Sequence, residues 1–425
     1  MNTSYASVVP PPAGADQRLL AGWREERRAA GLAAHRARYG PLPLAVAPDD
    51  LLTAIELAGL RGRGGAGFPT ARKLRAVAAG PRRATVVVNA CEGEPVSEKD
   101  HTLLALAPHL VLDGAVLAAH AIAAVEIILC HHEGDPLAGV VHAALAERQG
   151  DPVATRLQPV PQRYVASEES ALVNLINTGD ARPTTKPPRP DERGVGGRPT
   201  LVSNAETLAQ LALIARFGPA WFRTQGTAES PGTTLVTLSG AVGKAGVYEI
   251  ALGTPIDRVL GVARPAPTTP AVLVGGVGGA WLPLPAACRV PLAHRELTDA
   301  GATLGVGALF VLPPDACGLA ETARIMHYLA AQSASQCGPC MFGLPALADD
   351  LAMLARGGHV GARLRHHLDV VGGRGACRHP DGAVRLARSA LHTFAPDVRD
   401  HLAGRPCRYS RRVHIRLHRS GRWPR

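Results

Sequence analysis

Hydrophobic positions in the first half of the chain change between helical spacing and short apolar runs. Residues 51–57 carry apolar side chains at helical spacing, with Asp49 or Asp50 as N-cap and Gly59 at the end, which predicts a helix. Residues 85–89 form an apolar run with a polar last residue, as in a buried strand that ends at a functional edge. The same patterns predict helices near residues 71–79, 109–124 and 203–223 and a strand at 126–130. This alternation predicts an α/β domain.

The pattern changes after residue 230. Short β runs separated by glycines occur at residues 234–239, 247–250 and 271–274, and helical patterns, among them 344–355, dominate residues 318–405. A small β-rich module and a C-terminal helical bundle are therefore predicted. Together with a loose, initially Pro-rich leader, the predicted division is 1–48, 49–230, 231–296, 297–404 and a basic tail at 405–425.

The composition suits a globular protein, because 46% of the residues are hydrophobic and 19% are charged. The formal charge of +11 is concentrated in the tail, where residues 405–425 contain eight Arg and no acid. Such a tail suits an acidic partner, nucleic acid or an anionic membrane surface, and the simplest interpretation is a solvated end. Aromatic residues make up only 4% of the chain, so few bases could be stacked. We expect no nucleic-acid binding.

Apolar stretches are too short or too interrupted for a targeting or membrane segment. The first thirty residues lack the apolar core of a signal peptide, and residues 109–130 are interrupted by Asp113, His120 and Glu126. We therefore expect a cytoplasmic protein, or one that is peripheral at the inner face of the cell membrane. In a reducing compartment the eight Cys would not form a disulfide scaffold, and close Cys pairs indicate a metal.

Five glycines fall within the first nine residues of the segment Gly59–Thr70, called the glycine loop below, which leads into a predicted helix. Glycine lets the backbone approach a ligand closely, and the N–H groups at a helix start attract phosphate. Arg61, Arg63 and Lys73 add positive charge. The segment predicts a phosphate-binding loop, with an ordinary flexible loop as the alternative.

Two further segments carry clustered polar side chains. The segment Asn89–Pro95 follows a predicted strand and contains two acids, an amide and a thiol, which suits either a ligand edge or an ordinary turn. The pair Glu168 and Glu169, with Lys186 and Asn204 further on, is weak by itself because acidic pairs often cap helices.

Cys337 and Cys340 form a C-x-x-C motif that enters a helix, and Cys377 lies 37 residues further on. Such a set can bind zinc, form a redox disulfide or hold an iron–sulfur cluster. The residues alone leave all three open.

In order and spacing, these segments resemble the flavin- and NADH-binding subunit of respiratory NADH dehydrogenase, the 51 kDa or F subunit. They also resemble its relatives in NAD-linked hydrogenases and formate dehydrogenases. The matching stretches are 59–70, 89–95 with 99–100, 168–172, 182–183, 186–188, 199–208, 239–254 and 337–343. The sequence Gly-Arg-Gly-Gly-Ala-Gly-Phe-Pro-Thr at 62–70 is specific for this family.

The resemblance implies an α/β domain for FMN and NADH, a β-grasp module of the soluble-ligand-binding type, and a helical bundle that holds a [4Fe–4S] cluster. It implies that NADH or NADPH reduces FMN and that single electrons leave through the cluster. The expected partner is an iron–sulfur or ferredoxin-like subunit or a membrane cytochrome complex. Two alternatives stay open: a flavin relay that does not use NADH, and a non-catalytic assembly subunit.

The resemblance also implies roles for individual residues. Along FMN and its phosphate it places Gly64, Gly65, Gly67 and Lys73, and at the ribityl and ring edges Asn89, Glu92 and Asn204. On the nicotinamide side it places Glu94 and Glu169, and near the dinucleotide Phe68 and Lys186. At the cluster it places Cys337, Cys340 and Cys377, called the cysteine triad below.

The cluster motif departs from the family, because Ala334 occupies the position of its first Cys. Three Cys then remain, which suits a [4Fe–4S] cluster with another fourth ligand, a [3Fe–4S] cluster, zinc, or no metal. The candidates for a fourth ligand are Ser333, Ser335, Cys317 and Cys407.

Three other departures concern the flavin and nucleotide. The aromatics that stack on adenine in the family are replaced by Leu74, Ala76 and Arg189. An Asp expected beside the flavin is Cys91, and a Gly before the acidic pair is Ser167. These differences indicate a divergent paralogue.

Overall fold

A computed structural model describes residues 18–21, 28–405, 407 and 413–417 of the chain. Its first four strands are β1 (Thr85–Asn89), β2 (Glu126–His132), β3 (Thr155–Val160) and β4 (Thr200–Asn204). They form one parallel sheet in the order β3-β2-β1-β4. The helices around this sheet are Pro48–Ala58, Thr70–Ala78, Lys99–Leu106, Pro108–Ala121, Leu137–Ala146, Glu169–Thr178 and Ala205–Phe222. The predicted α/β architecture is confirmed, and the structure shows that its sheet is parallel.

The start of the helix Pro48–Ala58 differs from the prediction. Its N-cap is Ala47, without a side-chain cap, and Asp49 and Asp50 lie in the first turn. Proline suits the first helical position because its missing N–H has no partner to lose there. The two carboxylates still stabilise the helix start through its dipole.

A second sheet contains five strands. They are β5 (Thr233–Gly240), β6 (Gly246–Ala251), β7 (Ala271–Val274), β8 (Ala280–Pro283) and β9 (Ala308–Val311), in the order β6-β5-β9-β7-β8. Strand β9 lies beyond residue 296, where the β-rich module was predicted to end. It occupies the middle of the sheet, parallel to β5 and antiparallel to β7. A four-residue apolar run does not by itself reveal whether it is strand or helix.

The second sheet and the C-terminal helices share one core. The main C-terminal helices are Gly318–Gln332, Leu344–Ala355, Gly361–Val371, His379–Thr393 and Ala395–Leu402. Trp281 of β8 stacks edge-on to Phe394, with ring centroids 5.4 Å apart, and its Nε1 donates to Thr322 Oγ1 at 3.0 Å. Ile415 packs into the same core and is 2% exposed. The interpretation of the basic tail as a solvated end is therefore wrong for the segment around Ile415; residues 406, 408–412 and 418–425 lie outside the described residues.

The leader is anchored by a buried carboxylate of the second sheet. Leu19 and Leu20 are buried, and Glu249 of β6 accepts hydrogen bonds from the amides of Arg18, Leu19 and Leu20. Thr233 Oγ1 donates to the same carboxylate at 2.7 Å. The prediction of a loose leader is thus wrong for residues 18–20, because a contact 230 residues away in sequence holds them.

We expect the Glu249→Ala substitution to lower the free energy of unfolding by about 3 kcal/mol, because it leaves several buried N–H groups without an acceptor. Urea unfolding of the protein, followed by tryptophan fluorescence, measures the change. The control is Glu229→Ala, which removes an exposed ion pair with Arg295 and should cost less than about 1 kcal/mol. Equal losses in the two variants would contradict the anchoring of the leader.

No single helix in the described part of the chain is long and apolar enough to span a membrane. The helices Lys99–Leu106 and Pro108–Ala121 are long and apolar enough for a membrane span only when they are taken together. The chain bends by 98° at their junction.

Candidate functional site

Two asparagines end adjacent strands of the first sheet. Asn89 of β1 and Asn204 of β4 lie opposite each other in the parallel register. Asn89 Nδ2 donates to the Ser167 carbonyl at 2.9 Å, and Asn204 Nδ2 donates to Asp100 at 2.6 Å. Asn204 also caps the helix Ala205–Phe222 through the Glu206 amide. The carboxyl ends of parallel strands are the usual ligand edge of an α/β sheet, so this is where a ligand is expected.

A cavity of about 320 Å³ opens at this edge; we call it the edge cavity. It lies where the first sheet, the glycine loop, the second sheet and the helix His379–Thr393 meet. The predicted residues on its walls are Gly64, Gly65, Asn89, Glu92, Glu94, Asn204 and Cys377. The predicted residues that are not on its walls are Gly67, Phe68, Lys73, Glu169, Lys186, Cys337 and Cys340. Its volume falls within the usual range of ligand pockets.

Sequence reasoning missed two glycine-rich turns that close the edge cavity from the second sheet. Gly275 and Gly278 lie between β7 and β8, and Gly305 precedes β9. Gly65 of the glycine loop forms a bridge with Gly305, and a Cβ on Gly305 would lie 2.4 Å from the Gly275 carbonyl oxygen. Only glycine, which has no Cβ, lets the two backbone segments approach this closely. The glycines that recur in the sequence before β8 and β9 are the signal from which these turns could have been predicted.

The glycine loop is held in a fixed shape. The Gly62 amide donates to the Phe68 carbonyl and the Arg61 guanidinium to the Gly67 carbonyl. Gly67 has φ +60°, and a Cβ there would lie 2.6 Å from the His294 ring. The helix Thr70–Ala78 then begins without a side-chain cap. Its Thr70 amide donates to the Leu60 carbonyl at 2.9 Å, which leaves the next N–H groups of the first turn for an anion.

Glu92 organises the loop after β1. Its carboxylate accepts from the amides of Asp100 and His101 at 2.7 and 3.0 Å and from Ser97 Oγ at 2.5 Å. Burial and the neighbouring Asp100 raise the pKa of Glu92 to about 7. The carboxylate therefore fixes the backbone that carries the other polar groups of this edge.

Glu94 joins the two sheets at the edge cavity. Its Oε1 accepts from the Val277 amide at 3.0 Å, and its Oε2 accepts from the Tyr164 hydroxyl at 3.3 Å. A Cβ on Gly276 would lie 2.4 Å from Oε2, so only glycine fits above the carboxylate. Burial raises the pKa of Glu94 to about 7. The group therefore keeps its proton in the folded protein over a pH range in which the unfolded chain loses it.

This raised pKa gives a pH-dependent prediction. Between its usual pKa of 4.5 and about 7, Glu94 binds more protons in the folded state, so stability falls as pH rises through that range. We expect Glu94→Gln to remove that fall and to reduce the loss of stability between pH 5 and 8 by roughly 2–3 kcal/mol. Urea unfolding at both pH values measures it. Glu56→Gln, at an exposed ion pair with Arg75, is the control and should keep the wild-type pH dependence. If Glu94→Gln lost as much stability as the wild type between pH 5 and 8, the pH dependence would not come from a raised pKa of Glu94.

The acidic pair and two lysines form one ionic network beside the edge cavity. Glu169 accepts from Lys73 Nζ at 2.9 Å and from Lys186 Nζ at 2.8 Å. Burial alone would raise the pKa of Glu169, but these ion pairs lower it to about 2. Glu168 also accepts from Lys186, caps the next helix and lines the cavity. The carboxylate on the wall is thus Glu168, one residue before the predicted one.

The cysteine triad gathers from two segments. Cys337 and Cys340 flank the start of a π-helical turn, Pro339–Gly343, and the Cys340 thiol donates to the Cys337 sulfur. The Ala376 amide also donates to the Cys337 sulfur, which brings in the segment that carries Cys377. Cys377 reaches the edge cavity. Among the described residues, no three His, Cys, Asp or Glu side chains are placed to hold a single metal ion.

Comparison with known proteins identifies the family. The family model of the Nuo51 FMN-binding domain matches residues 55–213, which include the glycine loop, Asn89 and Asn204. The model of the NADH-ubiquinone oxidoreductase-F iron-sulfur binding region matches residues 320–401, which include the cysteine triad. The F subunit of NADH-quinone oxidoreductase in Streptomyces coelicolor is 32% identical over 383 residues, 86% of this chain and 85% of that protein. The chain belongs to this family, called the Nuo51 family below.

A second relative and a solved structure support the assignment of the chain to the Nuo51 family. The F subunit of NADH-quinone oxidoreductase in Escherichia coli is 30% identical over 375 residues, 82% of this chain and 83% of that protein. The crystal structure of an NAD⁺-reducing [NiFe]-hydrogenase in the air-oxidised state superposes with a TM-score of 0.78 and 31% identity. The superposition covers 89% of this chain and 67% of that chain. The predicted resemblance is confirmed.

The edge cavity fits the flavin of the Nuo51 family. Gly64 and Gly65 leave part of its wall without side chains, so a ligand can approach the backbone closely there, and the same glycine loop continues into the uncapped helix start at Thr70. The departure at Ser167 is accommodated, because a Cβ on Gly93 would lie 2.7 Å from Ser167 Oγ and position 93 has none. Cys91 is buried, and burial raises the pKa of its thiol well above the usual value. It therefore acts as a small neutral wall residue.

The nucleotide side departs further from the Nuo51 pattern. Leu74 is fully buried in the helix Thr70–Ala78, so it offers no surface to an adenine ring. Arg189 is exposed, and its amide donates to Glu192. Phe68 is 44% exposed, with the Arg72 guanidinium 5.6 Å from its ring centroid. Phe68 is therefore an aromatic at the glycine loop that a dinucleotide could reach.

A larger cavity, of about 850 Å³, lies beside β8 and is lined by Trp281, Asp369 and Arg388 among others. It contains none of the residues that the sequence predicted for the site. The smaller edge cavity is therefore the candidate site.

Proposed function

We propose that the chain is an electron-transfer flavoprotein that oxidises NADH or NADPH through FMN and delivers single electrons to an iron–sulfur centre and a partner subunit. The observation that best supports this is the position of Cys377, which belongs to the cysteine triad and also lines the edge cavity. A flavin in that cavity and a cluster on the triad would share a wall, which suits direct electron transfer between them.

The residues of the site would bind and orient the two ligands. Gly64, Gly65 and the start of the helix Thr70–Ala78 would hold the flavin phosphate, with Gly67 and Lys73 shaping that end. Asn89, Asn204 and Glu92 would fix the ribityl chain and ring edge. FMN, when bound, converts a hydride from the nicotinamide into two single electrons.

On the open side of the cavity, the charged residues would place the nicotinamide. Glu94 would hold a proton beside the ring, because burial of its carboxyl raises its pKa. Glu169, together with Lys73 and Lys186, would position the dinucleotide that Phe68 covers. Their work is positioning and the exclusion of water rather than proton transfer to a substrate.

We divide the chain into an α/β FMN- and NADH-binding domain at 49–230, a β-grasp module that starts at 231, a helical iron–sulfur domain up to 404 and flanking leader and tail segments. Strand β9 extends the β-grasp module beyond 296. The partner would be an iron–sulfur or ferredoxin-like subunit or a membrane cytochrome complex. The chain would then act in the cytoplasm or at the inner face of the cell membrane.

Cofactor content tests this function. The protein is purified without oxygen, and flavin, iron and sulfide are quantified before and after reconstitution. We expect one FMN per chain, together with iron and sulfide, and NADH-dependent reduction of ferricyanide. Flavin without NADH oxidation would favour the relay, and a protein that binds no flavin would favour the assembly role.

A further inference from the structure

The cysteine triad has an unusual neighbour at the position where the chain departs from the Nuo51 pattern. Ala334 is 7% exposed and has no ligating atom. The residue before it, Ser333, ends the helix Gly318–Gln332 and is 1% exposed. Its hydroxyl donates a hydrogen bond to the Cys340 sulfur. A buried hydroxyl therefore already contacts the triad beside the missing Cys.

The other candidates for the fourth ligand are less well placed. The Cys317 sulfur lies 3.8 Å from His401 Nε2, and the Cys407 amide donates to the same nitrogen at 3.0 Å. These two cysteines therefore group around His401. Ser335 is exposed, whereas Ser333 is buried, and their hydroxyl oxygens lie 3.3 Å apart.

We infer that Ser333 supplies the fourth ligand, so that the chain holds a [4Fe–4S] cluster through Cys337, Cys340, Cys377 and the Ser333 oxygen. The inference rests on the proposed function, because it needs the cluster. A bond forms between one iron and Ser333 Oγ, and the hydroxyl proton leaves to solvent, as ligand protons do when a metal binds. Iron and inorganic sulfide are the other components.

An oxygen ligand gives the cluster properties that an all-cysteine site lacks. Alkoxide is a harder donor than thiolate and stabilises the more oxidised iron, so it shifts the reduction potential to a more negative value. The ligand set would thus lower the reduction potential of the cluster, which accepts electrons from the flavin, without any change in the flavin cavity.

Mössbauer and EPR spectroscopy of the full-length protein, reconstituted anaerobically with iron and sulfide, test the ligand. We expect four irons per cluster in the wild type and in the control Ser335→Ala. Ser333→Ala is expected to lose one iron and to give the oxidised-state EPR signal of a three-iron cluster. Adding Ala334→Cys to that variant should restore four irons, and Ser333→Cys should keep four irons with a less negative potential.

The opposite outcomes are distinct. A four-iron cluster with an unchanged spectrum in Ser333→Ala would assign the fourth ligand elsewhere, and three irons in the wild type would mean that no fourth ligand is present. Either result overturns the inference and leaves the proposed function intact. Absence of any cluster, even in Ala334→Cys with a wild-type circular dichroism spectrum, would overturn both.

Discussion

Replacement of Gly65 by alanine is expected to weaken FMN binding by about tenfold or more. Gly65 has φ +111°, a conformation that residues with a side chain rarely adopt, and it lies on the wall of the edge cavity. Alanine at this φ costs of order 1–3 kcal/mol, which the free loop relieves by shifting and which FMN binding must restore. About 1.4 kcal/mol of that cost already corresponds to a factor of ten in affinity. Quenching of FMN fluorescence during titration with the apoprotein measures the dissociation constant.

The matched control lies three residues earlier in the glycine loop. A Cβ on Gly62 would lie 3.6 Å from the Phe68 carbonyl oxygen, which is ordinary contact, and Gly62 is not on the cavity wall. We expect Gly62→Ala to bind FMN within about twofold of the wild type. If both variants bound FMN like the wild type, the flavin phosphate would have to lie elsewhere.

Substitution of Cys340 by alanine is expected to separate the two redox reactions. Cys340 is 4% exposed within the cysteine triad and does not line the edge cavity, so its loss should abolish cluster assembly and leave flavin binding intact. Iron content should fall to background, and reduction of an added one-electron acceptor protein should slow by about tenfold or more. Reduction of the bound flavin by NADH should continue.

Cys288→Ser is the control for that experiment. Cys288 lies in the turn Ala286–Arg289 after β8, outside both the triad and the edge cavity. Its replacement should change neither iron content nor acceptor reduction. Unimpaired acceptor reduction in Cys340→Ala would mean that electrons leave the flavin by a route that avoids the triad.

Local patterns predicted the elements whose sequence signals are self-contained. Strand β1 and the helix Leu344–Ala355 have the bounds that their apolar patterns indicated. The glycine loop was also recognisable, because its function depends on the absence of side chains in one continuous segment. Such features are set by near neighbours in sequence.

Features that depend on distant contacts were not predictable. The pKa of Glu94 is raised by burial, which only the folded chain provides, and its hydrogen-bond donors Val277 and Tyr164 lie 183 and 70 residues away in sequence. Strand β9 enters the middle of its sheet only because β5 and β7 flank it. The segment around Ile415 was predicted to be solvated because most of its neighbours in sequence are basic. That pattern does not reveal that the Ile415 side chain is buried.

The most direct test of the central claim is anaerobic stopped-flow absorbance of the FMN- and iron-reconstituted protein mixed with NADH. The account predicts that the oxidised-flavin band bleaches and that the cluster absorbance then decreases, with the second step missing in Cys340→Ala. Bound flavin that keeps its oxidised spectrum in the presence of NADH and NADPH would contradict the account. The chain would then be a relay that receives electrons from another protein.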